Sequence, residues 1–315
     1  MSKLIFESEV EWLEERSKYI TASDVAAIVW YYNKEGLKSK ALYIDSFSSA
    51  FEIYHRFKGS YERKAPGIDL QYLYDKGKAC EIPMAKYFMS KYNNAVRIED
   101  SISFHVHDEI DYLACTPDFI IDEVHNTIDL PAEQQITKAD GIGILECKTV
   151  RPDQYWKKYI DEEPPFQYLL QLQAQMMCVG ATWGFIITDN GYTTEECAYR
   201  ADPGMQNIII ESIKKFKHDL DNNIEPEPTD NLIDGDIVRG LFEVTDDYTD
   251  ATEDEELDIM CEERNKAKAI EKENTAKYRE LNNKIRIKIQ GCDKTETQNH
   301  YIKLSKNNRL TVKGR

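Results

Sequence analysis

Two short segments of the chain carry side chains suited to hydrolysing a phosphodiester. One is Pro117-Asp118; the other, with its Glu 28 positions after that Asp, is Glu146-Cys147-Lys148. On an extended strand residues i and i+2 point the same way, so Glu146 and Lys148 face one pocket while the Cys147 side chain faces away. The Cys147 carbonyl remains able to turn toward a cation. Two carboxylates and a carbonyl oxygen make a hard-oxygen set suited to Mg²⁺, with Mn²⁺ as a substitute. An ammonium beside them can hold and polarise a water. The two motifs are short, and the chain has 57 acidic and 40 basic residues, so surface strands with ordinary charges give the same pattern. The order of other segments decides between these readings.

Four more segments stand in a telling order. They are Arg16-Ser17-Lys18-Tyr19-Ile20-Thr21-Ala22-Ser23-Asp24, then Gly77-Lys78-Ala79-Cys80-Glu81, then Leu113-Ala114-Cys115-Thr116 ahead of Pro117, and last Tyr168-Leu169-Leu170-Gln171-Leu172-Gln173-Ala174-Gln175. With the Glu-x-Lys strand the series resembles the lambda-exonuclease/YqaJ-type viral recombinase family, of the restriction-endonuclease-like PD-(D/E)xK superfamily, over roughly residues 10 to 200.

The resemblance implies a metal-dependent exonuclease that degrades linear double-stranded DNA from the 5′ end and leaves 3′ single-stranded overhangs for phage-type recombination. It implies Asp118 and Glu146 as metal ligands, with the Cys147 carbonyl and Glu81 completing the set, and Lys148 as the residue that orients the water. Tyr168 and Gln171 match a Tyr-x-x-Gln pair, and their spacing puts them on one helix face. Gln173 is the further glutamine of that helix, implied at the DNA. Arg16 and Ser23 match a pair that grips a 5′ phosphate, a task for which the planar guanidinium fork is well shaped. By the same analogy the partners are double-stranded DNA ends and a single-strand annealing protein, the assembly is a homo-oligomer (a trimeric ring), and the location is the bacterial host cytoplasm. The sequence departs from the family pattern in having Phe119 after the Pro-Asp, where Gly is common, and in a polar insertion at residues 123–141.

Each group also has an ordinary reading. Tyr168, Leu169, Leu172 and Met176 fit the apolar face of a buried helix. Ser23-Asp24 fits a helix N-cap region, and Glu81 ahead of Pro83 fits a first-turn acid. His105 and His107 alternate on a strand with no Cys or His partner at ligand spacing. Seven cysteines, odd in number and at least 19 residues apart, argue against a disulfide framework, a zinc site or the clustered cysteines of an iron–sulfur site. No apolar run reaches the ~20 residues needed to span a bilayer, and Met1 to Glu9 has no signal-type apolar core.

Net charge, −17, opposes DNA binding by the molecule as a whole. The charge is uneven: residues 246–256 hold seven acids and no base, and residues 283–315 hold nine Lys or Arg against two acids. Two alternatives to the exonuclease are therefore kept. One is an endonuclease or single-strand-specific nuclease using the same site; the other is a catalytically inactive acidic nuclease-fold protein acting as a DNA mimic or assembly subunit.

The elements that position these groups are expected as a restriction-endonuclease-like α/β fold, a mixed central sheet flanked by helices. Strands are expected near 101–106, 112–116, 118–122, 142–149, 183–188 and 195–200. Helices are expected within 5–30 (as helix, turn, helix), in the stretch 37–58, and over 71–92, 152–160, 166–179 and 203–221. The exonuclease core is read as residues 1–224 and an acidic, Pro-containing linker as 225–254. A C-terminal extension, 255–315, is read as one long charged helix plus a basic β-hairpin at 299–313.

Overall fold

The computed structural model describes residues 2–6, 8–33, 48–92, 96–99, 103–130, 135–151, 164–242 and 250–314. The chain forms two compact units, Met1–Glu243 and Val244–Arg315.

The first unit begins with β1 (Ser2–Ile5), α1 (Glu9–Arg16), β2 (Ile20–Thr21) and α2 (Val25–Asn33), followed by α3 (Ala50–Lys58) and α4 (Ile68–Lys91). Next come β3 (Val96–Glu99), β4 (Ser103–Val106), β5 (Leu113–Cys115), β6 (Phe119–Val124), the small hairpin β7 (Ile128–Asp129) and β8 (Gln135–Ile136), and β9 (Gly143–Thr149). The unit closes with α5 (Phe166–Val179), β10 (Trp183–Asp189), β11 (Thr194–Arg200), α6 (Pro203–Asp221) and α7 (Leu232–Leu241). The central sheet has the order β11-β10-β9-β6-β3. Only β9 and β10 run parallel; the other pairs are antiparallel. This is the mixed sheet expected from the sequence.

The alternation of side chains along β9 sorts two cores onto the two faces of the sheet. Ile144 joins Ile120, Ile186 and the helices α2, α5 and α6 on one face. Leu145 and Cys147 join Phe119, Ile121, Phe185, Ile187 and the Met84, Ala85 and Phe88 face of α4 on the other. A strand covered on both sides reads as a continuous apolar run, and in Gly-Ile-Leu-Glu-Cys the run is broken only by Glu146, itself buried. The α5 helix is packed almost all round, burying Leu170, Leu172, Ala174, Met176, Cys178 and Val179 and, with them, Gln167, Gln173 and Gln175. It starts after Pro164-Pro165 and stops at Gly180, whose φ of 73° supplies the left-handed cap. Its close seating on the sheet depends on Gly184, where a Cβ would stand 2.9 Å from Leu172 Cδ1. The amphipathic α6 buries Ile209, Ile213, Phe216 and Leu220 and is capped by Asp202 with Pro203 behind it.

Four expectations need adjustment. Residues 5–30 are not simply helix, turn, helix: β2 intervenes because Ile20 and Thr21 pair in parallel with Leu113 and Ala114 of β5, in a second sheet ordered β1-β4-β5-β2. The 123–141 insertion contains the end of β6, the β7–β8 hairpin and a 3₁₀ turn with a Thr137–Asp140 capping box. The first part of the stretch read as a linker carries α7, held to the first unit by buried Asp234. That carboxylate accepts from the Ser49 hydroxyl and from Thr229 N and Oγ1 at 2.7 and 2.8 Å. The fourth adjustment concerns the extension, below. The helix expected at 152–160, and residues 37–47 of the expected 37–58 segment, lie outside the described residues.

The second unit consists of α8 (Glu255–Ile289) and a three-stranded antiparallel sheet, β12 (Lys294–Glu296), β13 (His300–Leu304) and β14 (Leu310–Gly314). The expected hairpin is β13–β14, and β12 adds a third strand to it. Asp254 caps the helix by accepting from Leu257 N at 2.9 Å. Asp258 and the glutamates of the first turn, with Arg286 and Lys288 in the last, lie as the helix dipole favours.

Candidate active site

Glu146 lies in the middle of β9, only 2% exposed, and both of its oxygens are held. Oε1 accepts from Lys148 Nζ at 2.5 Å and Gln171 Nε2 at 2.7 Å, and Oε2 accepts from Gln175 Nε2 at 2.7 Å. Lys148 Nζ also donates to Gln171 Oε1 at 3.0 Å, closing a triangle of Glu146, Lys148 and Gln171. An ammonium has three protons, so one remains for a water or phosphate. Tyr168, one turn before Gln171 on α5, lays its ring 4.9 Å from Lys148 Nζ. That is a cation–π contact, and it gives the tyrosine a part in aiming the lysine.

Asp118 sits at the mouth of β6 and reaches across to β9, where its Oδ2 accepts from Cys147 N at 2.7 Å. The Pro-Asp sequence explains this bond. The β6–β9 register pairs Phe119 with Leu145 and Ile121 with Gly143. Continued by two places, it sets Pro117 opposite Cys147. Proline has no N–H to give, so the ladder ends there, and the Asp118 carboxylate takes the Cys147 amide instead. Amide and carbonyl of one strand residue point to the same edge. The Cys147 carbonyl therefore faces the Asp118 side without a ladder donor opposite it, while its thiol is buried on the α4 face.

The charges are strongly coupled. Burial pushes the Asp118 carboxyl well above its usual range, and the neighbouring Glu146 charge pushes it further. Burial and then Glu146 raise Glu81 on α4 as well. Burial works to lower the Lys148 ammonium, but Glu146 and Asp118 outweigh it and hold its pKa above the ordinary lysine value. The two carboxylates thus favour the charged form of Lys148.

Among the described residues no three His, Cys, Asp or Glu side chains converge as a self-sufficient metal site. A donor set of one or two carboxylates plus a carbonyl nevertheless suits Mg²⁺, which keeps several of its waters. The raised carboxyls of Asp118 and Glu81 are what a cation would relieve. Asp118, Glu146 and the Cys147 carbonyl fit such an ion, with Glu81 at its margin.

Arg16 and Ser23 do meet: Arg16 Nη2 donates to Ser23 Oγ at 3.3 Å. Ser23 Oγ is 2.8 Å from Thr21 Oγ1. Two further arginines join them. Arg56 Nη2 donates to Asp24 Oδ1 at 2.9 Å, and Arg63 forks onto buried Glu52 at 2.5 and 2.8 Å. Burial lowers the Arg16 pKa, and the charges of Arg56 and Arg63 lower it further against the pull of Asp24. Such crowding of cations favours an anion. Two links connect this cluster to Asp118. Thr21 pairs with Ala114 on β5, and Trp12, whose ring lies 5.2 Å from the Arg16 guanidinium, donates to Thr116 Oγ1 at 3.1 Å.

Gln173 is a correction. It is 1% exposed and on the opposite side of α5, donating to the Arg200 carbonyl at 2.9 Å and accepting from Asp202 N at 2.9 Å. It braces the start of α6, and no face of it is open to DNA. Sequence reasoning passed over Gln175, Arg56 and Arg63. Gln175 was visible as the residue one turn beyond Gln171; the two arginines are brought in by the fold alone. His105, buried, meets Ser103 Oγ at 2.8 Å, and His107 Nδ1 receives the amides of Glu109 and Ile110 at 3.1 Å, so both histidines are structural.

No match to a curated protein sequence reaches significance. Among solved structures the chain is similar to the alkaline exonuclease LHK-Exo of Laribacter hongkongensis, in a complex with dAMP. The TM-score is 0.48 at 16% identity, covering 69% of this chain and 94% of that one. It is also similar to a phage-related exonuclease of Haemophilus somnus 129PT, with a TM-score of 0.42 at 12% identity, covering 65% of this chain and 95% of that one. The YqaJ-like viral recombinase domain matches residues 11–182, and the chain belongs to that family.

Proposed function

We propose that the protein is a Mg²⁺-dependent deoxyribonuclease that digests linear double-stranded DNA from its 5′ ends and leaves 3′ single strands. The observation that carries the reading is the Glu146–Lys148–Gln171 triangle beside Asp118, in a chain of this family. A Mg²⁺ held by Asp118, Glu146 and the Cys147 carbonyl supplies relief of phosphate charge and a more acidic water. Lys148 is held beside the Glu146 carboxylate, within reach of a water on the metal. Its free N–H orients the attacking oxygen and stabilises the charge that grows on the phosphate. Gln171 and Tyr168 fix the direction of that N–H. Arg16 and Ser23, with Arg56 and Arg63 behind them, hold the terminal 5′ phosphate and so set which end is cut. The exposed 3′ strand is the form a single-strand annealing protein takes up.

The test is digestion of linear duplex with 5′-phosphate or 5′-hydroxyl ends, beside a closed circle, in Mg²⁺ and in EDTA. Metal-dependent loss of the linear form, faster from phosphorylated ends, supports the reading. Cutting of the circle makes the protein an endonuclease, and no cutting in Mg²⁺ or Mn²⁺ makes it an inactive acidic scaffold.

A further inference from the structure

The second unit carries a charged surface that the catalytic groups do not use. Its charge is divided: residues 244–273 hold twelve acids and four bases, residues 274–315 eleven bases and three acids. On α8, Lys266, Lys277 and Lys284 each pair with a glutamate, Glu262 or Glu280. On the sheet the pattern differs. Lys294 stands directly opposite Lys303, and Lys313, opposite Tyr301, is diagonal to Lys303 on the same face. All three lysines are exposed, and none makes an ion pair among the described residues. Glu296 is the acid on that face. The half-buried Ile302, Leu304 and Leu310 point to the other face. Ile289 is buried at the end of α8, and Arg286 Nη2 donates to the Asn308 carbonyl at 2.7 Å, tying helix to sheet.

Like charges directly opposite one another weaken a strand pair. A lysine pair kept at that cost, in a chain of net charge −17 with acids in excess, calls for an anion from outside. We propose that the Lys294–Lys303–Lys313 face of this sheet binds the phosphate backbone of duplex DNA, without reading sequence, as a contact separate from the nuclease site. The proposal rests on the reading that DNA is the substrate. It gives an acidic enzyme a local basic hold on the duplex it consumes.

The test is fluorescence anisotropy of the full chain on a duplex whose ends are both closed by hairpins, in EDTA, over a salt titration. The sheet variant Lys294→Gln/Lys303→Gln/Lys313→Gln is compared with the helix variant Lys266→Gln/Lys277→Gln/Lys284→Gln, which changes net charge equally. The sheet variant is expected to bind about tenfold or more weakly, with the log–log salt slope smaller by about 2 to 3. The helix variant and a Lys→Arg version of the sheet are expected to bind as wild type. Equal loss in both glutamine variants, or loss in neither, overturns the proposal. So does a concentration-dependent dimer, seen by sedimentation, that the sheet variant abolishes while DNA binding is unchanged. Binding that behaves as expected in a protein that cuts no linear DNA sinks the nuclease reading and leaves this surface standing. Cutting at the wild-type rate with binding unchanged in the sheet variant does the reverse.

Discussion

Gln175 Nε2 meets Glu146 Oε2 at 2.7 Å, although helix and strand bring the pair together from positions 29 apart. The contact fixes the one carboxylate oxygen that Lys148 and Gln171 leave alone. Among the described residues the amide oxygen of Gln175 is buried without a hydrogen-bond partner. Losing that bond costs free energy, and the return is a donor aimed at Glu146.

Gln175→Met keeps the volume and removes the donor. It should weaken apparent Mg²⁺ affinity or activity about 10- to 100-fold, as loss of a residue supporting a metal ligand commonly does. Gln175→Glu should be worse, because it adds a carboxylate to a site whose acids already repel. Activity against Mg²⁺ concentration, with a melting curve for each variant, measures both.

Lys148→Ala removes the N–H left over from Glu146 and Gln171, the one proposed to meet the attacking water, and leaves Glu146 with less neutralisation. A fall in kcat of about 100- to 1,000-fold is expected, the usual cost of losing one stabilising donor. Lys148→Arg should not restore it, since the guanidinium is larger and fits neither the Gln171 oxygen nor the Tyr168 ring in the same way. Single-turnover rates on linear duplex decide this.

Asp118→Asn should abolish activity while making the metal-free protein more stable, by about 1 kcal/mol, the usual size of a single stabilising change. The pH dependence has a definite sign. A carboxyl raised by folding stabilises the native state below its ordinary range, and that contribution is lost as pH rises through the raised value. The melting-temperature gap between Asp118→Asn and wild type, measured in EDTA, should therefore widen as pH rises through that range and close in acid. Added Mg²⁺ should reverse the order of the two proteins.

Arg16→Ala and Ser23→Ala should lose the preference for 5′-phosphorylated ends with little change in melting temperature. Arg56→Ala should behave differently. It leaves Asp24, 4% exposed, with its Thr21 hydrogen bonds but without its cationic partner, and should cost about 2 kcal/mol, since the arginine end of the pair is partly in solvent. Rates on the two kinds of end, with a denaturant titration, separate the two effects.

Much of this could be read in the sequence because local chemistry and fold agree. Gly143–Thr149 announces a doubly covered strand interrupted by a charge, and Pro165 and Gly180 bracket α5. The long α8 is legible from its run of charged residues, acidic at the start and basic at the end. What escaped depended on contacts between distant segments. Nothing near Asp234 shows that Ser49 will meet it, so α7 was hidden in a stretch that reads as a linker. Arg56 and Arg63 reach the Arg16 cluster only because Asp24 and Glu52 are buried beside them. Gln173 misled because a glutamine next to site residues was given their task, while its own side of α5 faces Arg200 and Asp202.

The measurement that bears most directly on the catalytic centre is the rate of nucleotide release from 5′-phosphorylated linear duplex in Mg²⁺. It should compare wild type with Asp118→Asn, Glu146→Gln and Lys148→Ala, each confirmed as folded by its melting curve. The account predicts Mg²⁺-dependent release by wild type, abolished by EDTA and reduced at least about 100-fold in each variant. Release that continues at the wild-type rate in any folded variant, or that is indifferent to EDTA, would contradict it.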